Sequence, residues 1–322
     1  GPLNVSENNV NREIIDAWVE AATAAGYRRT FDYNREDQEG VGYFQMTMKG
    51  GRRCSSAAAY LKPVRKRPNL HVFTHAHSEK LLVDGNRVTG VRCNLKGQSV
   101  DVSARREVIL SAGSIGSPQL LMVSGVGHAA ELQPHGIDVL HHLPGVGKNL
   151  QDHLQARPVF KCRASTINIE TKNIFRQAAI AFQYALHRSG PMAMAASLGT
   201  AFLKTRFELE APDIQFHIQP FSADNPAEGS HKFSAFTASV LQLRPESTGR
   251  ITLRSASAHD YPDIHPNYLA TKTDCDTLVA GIKIARNICD YAPLKDLIIE
   301  EHAPGVSIGR DDDVAILDWA RS

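Results

Sequence analysis

Ser111, Ala112 and Gly113 follow an apolar run, Val108-Ile109-Leu110, and lead into a stretch that carries Pro118. None of these side chains reacts; their smallness is what matters. A run such as Val108-Ile109-Leu110 fills a strand buried on both faces. Three small residues at its carboxyl end let a bulky ligand lie against the backbone, at the position where open α/β sheets bind nucleotides. Pro118 opens a further apolar stretch, Gln119 to Val123, which predicts a helix with proline in its first turn. Ser124-Gly125-Val126-Gly127 ends that helix. The same string also fits a buried strand, a glycine turn and a short core helix with no ligand at all.

The polar residues best placed to meet a substrate lie further along, between Asp213 and Pro220. Read as a strand, this segment puts Gln215, His217 and Gln219 on one face and Phe216 and Ile218 on the other. The polar face lines a pocket or meets solvent. No residue is assigned as a catalytic acid, base or nucleophile. No metal site is predicted either. Cys54, Cys93, Cys162, Cys275 and Cys289 never form a C-x-x-C pair, and no histidines stand in H-E-x-x-H spacing. His75 and His77 alternate in a strand, and His141-His142 precede a Pro-Gly turn. Scattered thiols in odd number indicate a reducing compartment, and the chain is expected to be cytoplasmic.

Several elements must position these residues. Asn11 to Ala25 has Ile14, Ile15, Trp18, Val19 and Ala22 at helical spacing and ends at Gly26. Ser55 to Leu61 reads as a short helix broken by Pro63. Leu70 to Phe73 begins a run of strand signals. The segments 81–83 and 88–91 flank Asp84-Gly85-Asn86, a hairpin turn, and Val100 to Ala104 alternates. After His153 the pattern changes. Arg157 to Cys162, Ile214 to Pro220, Phe236 to Leu243 and Gly249 to Leu253 read as strands. Ile174 to His187 and Leu278 to Asp290 read as amphipathic helices. Strand runs beside helix runs suggest an α+β layer, unlike the α/β segment before it.

With 322 residues the chain is long enough for two cores. Its net charge of +2 excludes a broad nucleic-acid footprint, and the densest basic run, Lys62-Pro63-Val64-Arg65-Lys66-Arg67, is short and interrupted by proline. No apolar run approaches the ~20 residues that span a bilayer, and the first residues do not resemble a signal peptide.

The string from Gly113 through Gly127 resembles, without a gap, a signature of the glucose-methanol-choline (GMC) oxidoreductases. Leu143 through His153, with Pro144-Gly145-Val146-Gly147 and Asn149-Leu150-Gln151-Asp152-His153, is similar to the same family's next block. Ser247 to Arg254 and Asp263 to Leu269 resemble the start of its C-terminal segment. The resemblance implies a fold of class α/β plus α+β. It comprises a partial FAD-binding Rossmann-like domain with a β-meander and an α+β substrate-binding domain. The expected division is 1–61, packing with the substrate domain; 62–154, part of the FAD-binding domain; and 155–322, substrate-binding domain and start of the C-terminal segment.

The resemblance further implies an FAD-dependent alcohol dehydrogenase or oxidase, choline dehydrogenase-like, passing a hydride from an alcohol to the flavin. Ala112, Gly113 and Pro118 would let the flavin approach the backbone. Ser78, in the strand end at 75–78, would contact the adenine or ribose; Asn149 and Asp152 would anchor the block near the flavin. His153 would support the cofactor site. Gln215, His217 and Gln219 would line the substrate pocket. No G-x-G-x-x-G and no segment resembling H-P-x-G-T occurs here, so the chain reads as an internal fragment, inactive alone and without tightly held FAD. The partner expected is a small-molecule alcohol, with no nucleic acid, no membrane span and a homo-oligomer through an unpaired sheet edge. The alternatives are a non-catalytic binding module and a lyase on the same fold, hydroxynitrile lyase-like.

Overall fold

The computed structural model describes every residue except Pro226 and Glu228. Helix α1 (Glu13–Ala24) is followed by strand β1 (Gly40–Tyr43). Strands β2 (Ala76–Asp84), β3 (Arg87–Leu95) and β4 (Gln98–Ser103) precede helix α2 (Gly113–Val123). Strands β5 (Lys148–Leu150), β6 (Gln155–Ala156) and β7 (Val159–Cys162) lead to helix α3 (Ile174–His187). Next come β8 (Gly199–Leu203), β9 (Ile214–Gln219), β10 (Ala235–Gln242), β11 (Gly249–Thr252) and β12 (Asp263–His265). Helix α4 (Lys272–Ile288), strand β13 (Ile298–Ala303) and helix α5 (Asp313–Arg321) complete the principal elements.

The chain divides into two compact units. The first comprises Gly1–Arg67, His153–Arg244 and Lys272–Ser322. Its centre is a seven-stranded antiparallel sheet in the order β1-β8-β9-β10-β7-β13, with β6 beside β10. Alternation in β9 decides which face is covered. Ile214, Phe216 and Ile218 are completely buried, each burial contributing roughly 1.5–3 kcal/mol. Helices α1 and α4 supply that cover. The Trp18 ring lies 5.6 Å from Phe216, and α4 approaches so closely that a Cβ at Gly281 would come within 2.6 Å of Val240. The helical residues read from the sequence, Ile14, Ile15, Trp18, Val19 and Ala22, are all buried.

Glycine also explains β1. The segment Arg28 to Thr30 runs alongside it, Val41 N–H donating to the Arg28 carbonyl at 2.8 Å. A Cβ at Gly42 would lie 2.3 Å from the Thr30 carbonyl oxygen, so only glycine fits. At the far side of the sheet, Arg286 of α4 is 2% exposed and is held by Glu301 of β13, with Nε and Nη2 each 3.0 Å from Oε1.

The second unit comprises Pro68–Asp152 and Pro245–Thr271. Strands β2, β3 and β4 form an antiparallel meander whose first turn is Asp84-Gly85-Asn86-Arg87, with Gly85 at φ +56°. Helix α2 packs through Leu120, Met122 and Val123 against Leu81 of β2 and Ile251 of β11. The buried Ser124 hydroxyl accepts from Leu81 N–H at 2.8 Å and donates to the Leu120 carbonyl at 2.6 Å. Strands β12, β11 and β5 form a second antiparallel sheet. That pairing draws 245–271 into this unit, where the sequence reading had kept 155–322 together.

Three local expectations are corrected. Val108–Leu110 joins no sheet among the described residues, and Ile109 is 79% exposed. A strand buried on both faces needs a hydrogen-bonded neighbour on each side, and no described strand runs beside this one. Val108 and Leu110 still pack on the α2 cluster. Secondly, α2 begins at Gly113, so Pro118 is its sixth residue rather than a first-turn proline; its missing N–H leaves the Ser114 carbonyl without the usual donor. Thirdly, Leu70–Phe73 is not a strand. The meander starts at Ala76, after His75 turns the chain at φ +57°.

Candidate functional site

In the second unit the six residues expected near a cofactor fall on three elements. Ala112 and Gly113 form the turn into α2, and both are exposed. Ala112 N–H donates to the Ser117 hydroxyl at 3.1 Å, closing the turn on the helix. Gly113 has φ +80°, and apart from its chain neighbours and its own helix backbone no atom lies within 4 Å of where its Cβ would stand. The absent side chain therefore leaves open space beside the free N–H groups of the first helical turn. The arrangement suits close approach of a flat or anionic group to the backbone. Pro118 is half-buried in the same helix.

Asn149 sits at a bulge. Leu150 pairs with Gly249 and Lys148 with Arg250, so Asn149 is the extra residue, and its φ is +56°. Asparagine tolerates that conformation better than most side chains. Asp152 accepts a hydrogen bond from the Tyr268 hydroxyl. The carboxylate favours the protonated phenol, and with partial burial the Tyr268 pKa is pushed up to about 12. Both are structural attachments of the block 143–153. Ser78 is the third residue of β2, opposite Cys93, and exposed. It stands near the amino end of that strand.

In the first unit the sheet face away from α1 and α4 is polar along one row. Cross-strand pairing sets Gly42 opposite Thr200, Thr200 opposite His217, and His217 opposite Ser239. Directly paired residues project to the same face, so His217 stands between two hydroxyls. Thr200 and Ser239 are both 0% exposed, and neither hydroxyl oxygen has a hydrogen-bond partner. The Phe44 ring lies 5.0 Å from His217. Burial, reinforced by nearby His153, pulls the His217 imidazole below the usual histidine range. It is a neutral group at ordinary pH, able to accept or share a proton.

Gln215 and Gln219 lie on the same face as expected. Gln215 is half-buried between Phe202 and Leu241. Gln219 is engaged, donating to the Ser197 hydroxyl at 3.3 Å and accepting from Arg157 at 3.3 Å. His153 reaches the Leu243 carbonyl at 3.0 Å.

Sequence reading missed Thr200 and Ser239. The signal was present in β10, where Thr237 and Ser239 alternate with Phe236, Ala238 and Val240. It also missed a separate grouping: ligand atoms of Asp224, His231 and His302 lie within 4.8 Å of one another. His231 Nδ1 meets the Ser222 hydroxyl at 2.9 Å, and its Nε2 lies 3.1 Å from Asp224. Asp224 and His231 lie close in sequence but His302 is about 70 residues further on, so no ligand spacing announces the three.

Models of the GMC oxidoreductase family match residues 1–155 with their N-terminal part and residues 245–318 with their C-terminal part. The chain belongs to this family. The oxygen-dependent choline dehydrogenase of Brucella ovis is 36% identical over 314 residues, 98% of this chain. The alcohol dehydrogenase (acceptor) of Pseudomonas putida is 38% identical over 317 residues, also 98% of the chain. The chain spans 57% of the length of each. Among solved structures, pyridoxine 4-oxidase from Mesorbium loti matches with a TM-score of 0.84 and 26% identity, over 100% of this chain and 59% of that one. A formate oxidase of Aspergillus oryzae, studied for its FAD modification, matches with a TM-score of 0.86 and 23% identity, over 99% and 61%. The GMC chain thus shares a fold with these two oxidases along its whole length.

Proposed function

We propose that this chain supplies part of the cofactor site and part of the substrate pocket of an FAD-dependent enzyme that oxidises an uncharged alcohol. The observation that carries the reading is the row Thr200-His217-Ser239, a half-buried imidazole between two buried hydroxyls that have no partner. Buried polar groups are rarely left unsatisfied. A ligand hydroxyl or an ordered water would complete this row, and His217, held neutral, would share the proton of an alcohol there.

The row contains no carboxylate, and Gly190 to Gly199 adds only small and apolar residues besides Ser197. Against this row a quaternary ammonium would meet imidazole and hydroxyls rather than a carboxylate. The Pseudomonas relative, named for alcohol, and the pyridoxine oxidase are therefore better guides to substrate than the choline dehydrogenase.

The residues around Gly113 fit FAD. The left-handed glycine and its open surroundings admit a flat ring or a phosphate to the backbone, with Ala112 beside it; Ser78 would contact the adenine or ribose, and Asn149 and Asp152 would anchor the block 143–153 near the flavin. Bound FAD supplies the hydride acceptor. Ala112 and Gly113 would hold it, the α2 N-terminus would favour its negative charge, and the His217 row would orient the alcohol. Because no G-x-G-x-x-G is present in these 322 residues, the chain alone holds FAD weakly or not at all and is inactive. Charge-assisted bonds to a pyrophosphate contribute roughly 1.5–3 kcal/mol each. The unpaired run 108–110 offers an edge on which two copies could join. Five free cysteines favour a reducing compartment, the cytoplasm.

The test is Gly113→Val in the full-length protein that carries this chain. Loss of flavin from otherwise folded protein is expected. A variant that retains its flavin in full would overturn the assignment of the cofactor site.

A further inference from the structure

Helix α3 is built inside out. Residues 176, 180, 183 and 184 face the protein: Arg176, Ile180 and Gln183 line a cavity of about 650 Å³ with Arg12 and Glu170, and the Tyr184 hydroxyl donates to the Gly51 carbonyl at 3.2 Å. Residues 175, 178, 182 and 186, spaced by three and four, form the opposite stripe. That stripe is apolar and faces outward. Phe175 is 82% exposed, Phe182 67% and Leu186 60%, with Ile174 beside them at 72%; no residue of the helix is buried. The helix is nevertheless well made. The Asn173 side chain caps it by accepting from Phe175 and Arg176 N–H, and Arg188 closes its end in the left-handed region.

An apolar stripe of this size turned outward marks an interaction surface. Charge says which kind. From Thr171 to Phe207 the chain has no aspartate or glutamate but five cations; Lys204 and Arg206 pair with Glu39 and Glu208, which leaves Lys172, Arg176 and Arg188 in or beside the helix. Lys172 and Arg188 flank the helix directly. A helix with Phe and Leu on one side and bases at its flanks lies in the plane of a bilayer interface, its rings in the acyl boundary and its cations among anionic headgroups. A second copy of the same face would bring like charges together, which disfavours self-docking. No helix among the described residues is long and apolar enough to cross a membrane, so the contact would be peripheral.

We propose that α3 docks the protein on anionic lipid membranes, a role independent of the alcohol chemistry. The experiment is vesicle co-flotation of the chain and, in parallel, of the full-length protein that carries it. The vesicles are phosphatidylcholine with and without phosphatidylglycerol. Both proteins should float with the anionic vesicles, and less so as salt is raised. Phe175→Gln with Phe182→Gln should lower partition at least ~10-fold, since each ring leaves water on binding. Its melting temperature should be nearly unchanged, because both rings are mostly exposed. Failure of the parent chain to float would overturn the proposal, as would flotation of the chain but not of the full-length protein. Undiminished flotation of the double variant, or loss of a dimer without change in flotation, would do the same.

Discussion

Thr200 and His217 stand opposite each other on neighbouring antiparallel strands, so both side chains rise from one face of the sheet. The hydroxyl is fully buried and has no partner, while the imidazole beside it is pulled towards its neutral form by burial. A fold that hides two hydroxyls on either side of a half-buried histidine has arranged a polar lining that its own backbone does not use.

Replacing the orphan hydroxyl tests whether it serves stability. Valine has nearly the same shape as threonine and removes a polar atom that gains nothing from the fold. Thr200→Val is expected to raise stability by about 1 kcal/mol, read by denaturant unfolding, while lowering turnover in the full-length protein. A comparable loss of stability would show that the hydroxyl is satisfied in solution.

His217 sets a pH dependence. Its folded pKa lies below that of the unfolded chain, so the unfolded state binds the extra proton first. Stability is then fully present above the ordinary histidine pKa, ~6.5, and falls as pH drops through that value towards the lower folded pKa. The difference in unfolding free energy between the parent chain and His217→Gln should change across that window and be flat above it. An invariant difference would mean that His217 titrates normally.

Arg286 and Glu301 give a test of the frame around the sheet. The guanidinium is 2% exposed and the carboxylate 14% exposed, and Arg286 also donates to the Ile308 and Gly309 carbonyls. Glu301→Leu should cost about 3–5 kcal/mol by leaving a buried cation unpaired. The double variant Arg286→Met with Glu301→Leu should recover at least half of that loss. Equal losses in both would place the stabilisation in contacts other than the ion pair.

What was legible in the sequence followed from periodicity within single elements. The helix Ile174–His187 was read at both ends, and the alternation of Ile214, Phe216 and Ile218 against Gln215 and His217 gave the covered face of β9. What was not legible depended on partners. Val108-Ile109-Leu110 has the composition of a central strand, but composition does not supply the neighbours that strand pairing requires. Thr200 and Ser239 became visible only once register placed them on either side of His217. The helix start at Gly113 was hidden because a glycine at φ +80° is a poor helix signal, and Pro118 drew the boundary to itself.

The most direct test of the central claim is anaerobic reduction of the flavin in the full-length protein, followed as loss of oxidised-flavin absorbance after mixing with substrate. An uncharged primary alcohol should reduce it rapidly, choline should reduce it far more slowly, and Ser239→Ala should slow reduction by the alcohol without releasing flavin. Protein that carries no flavin, or flavin reduced by choline in preference to any uncharged alcohol, would contradict the account.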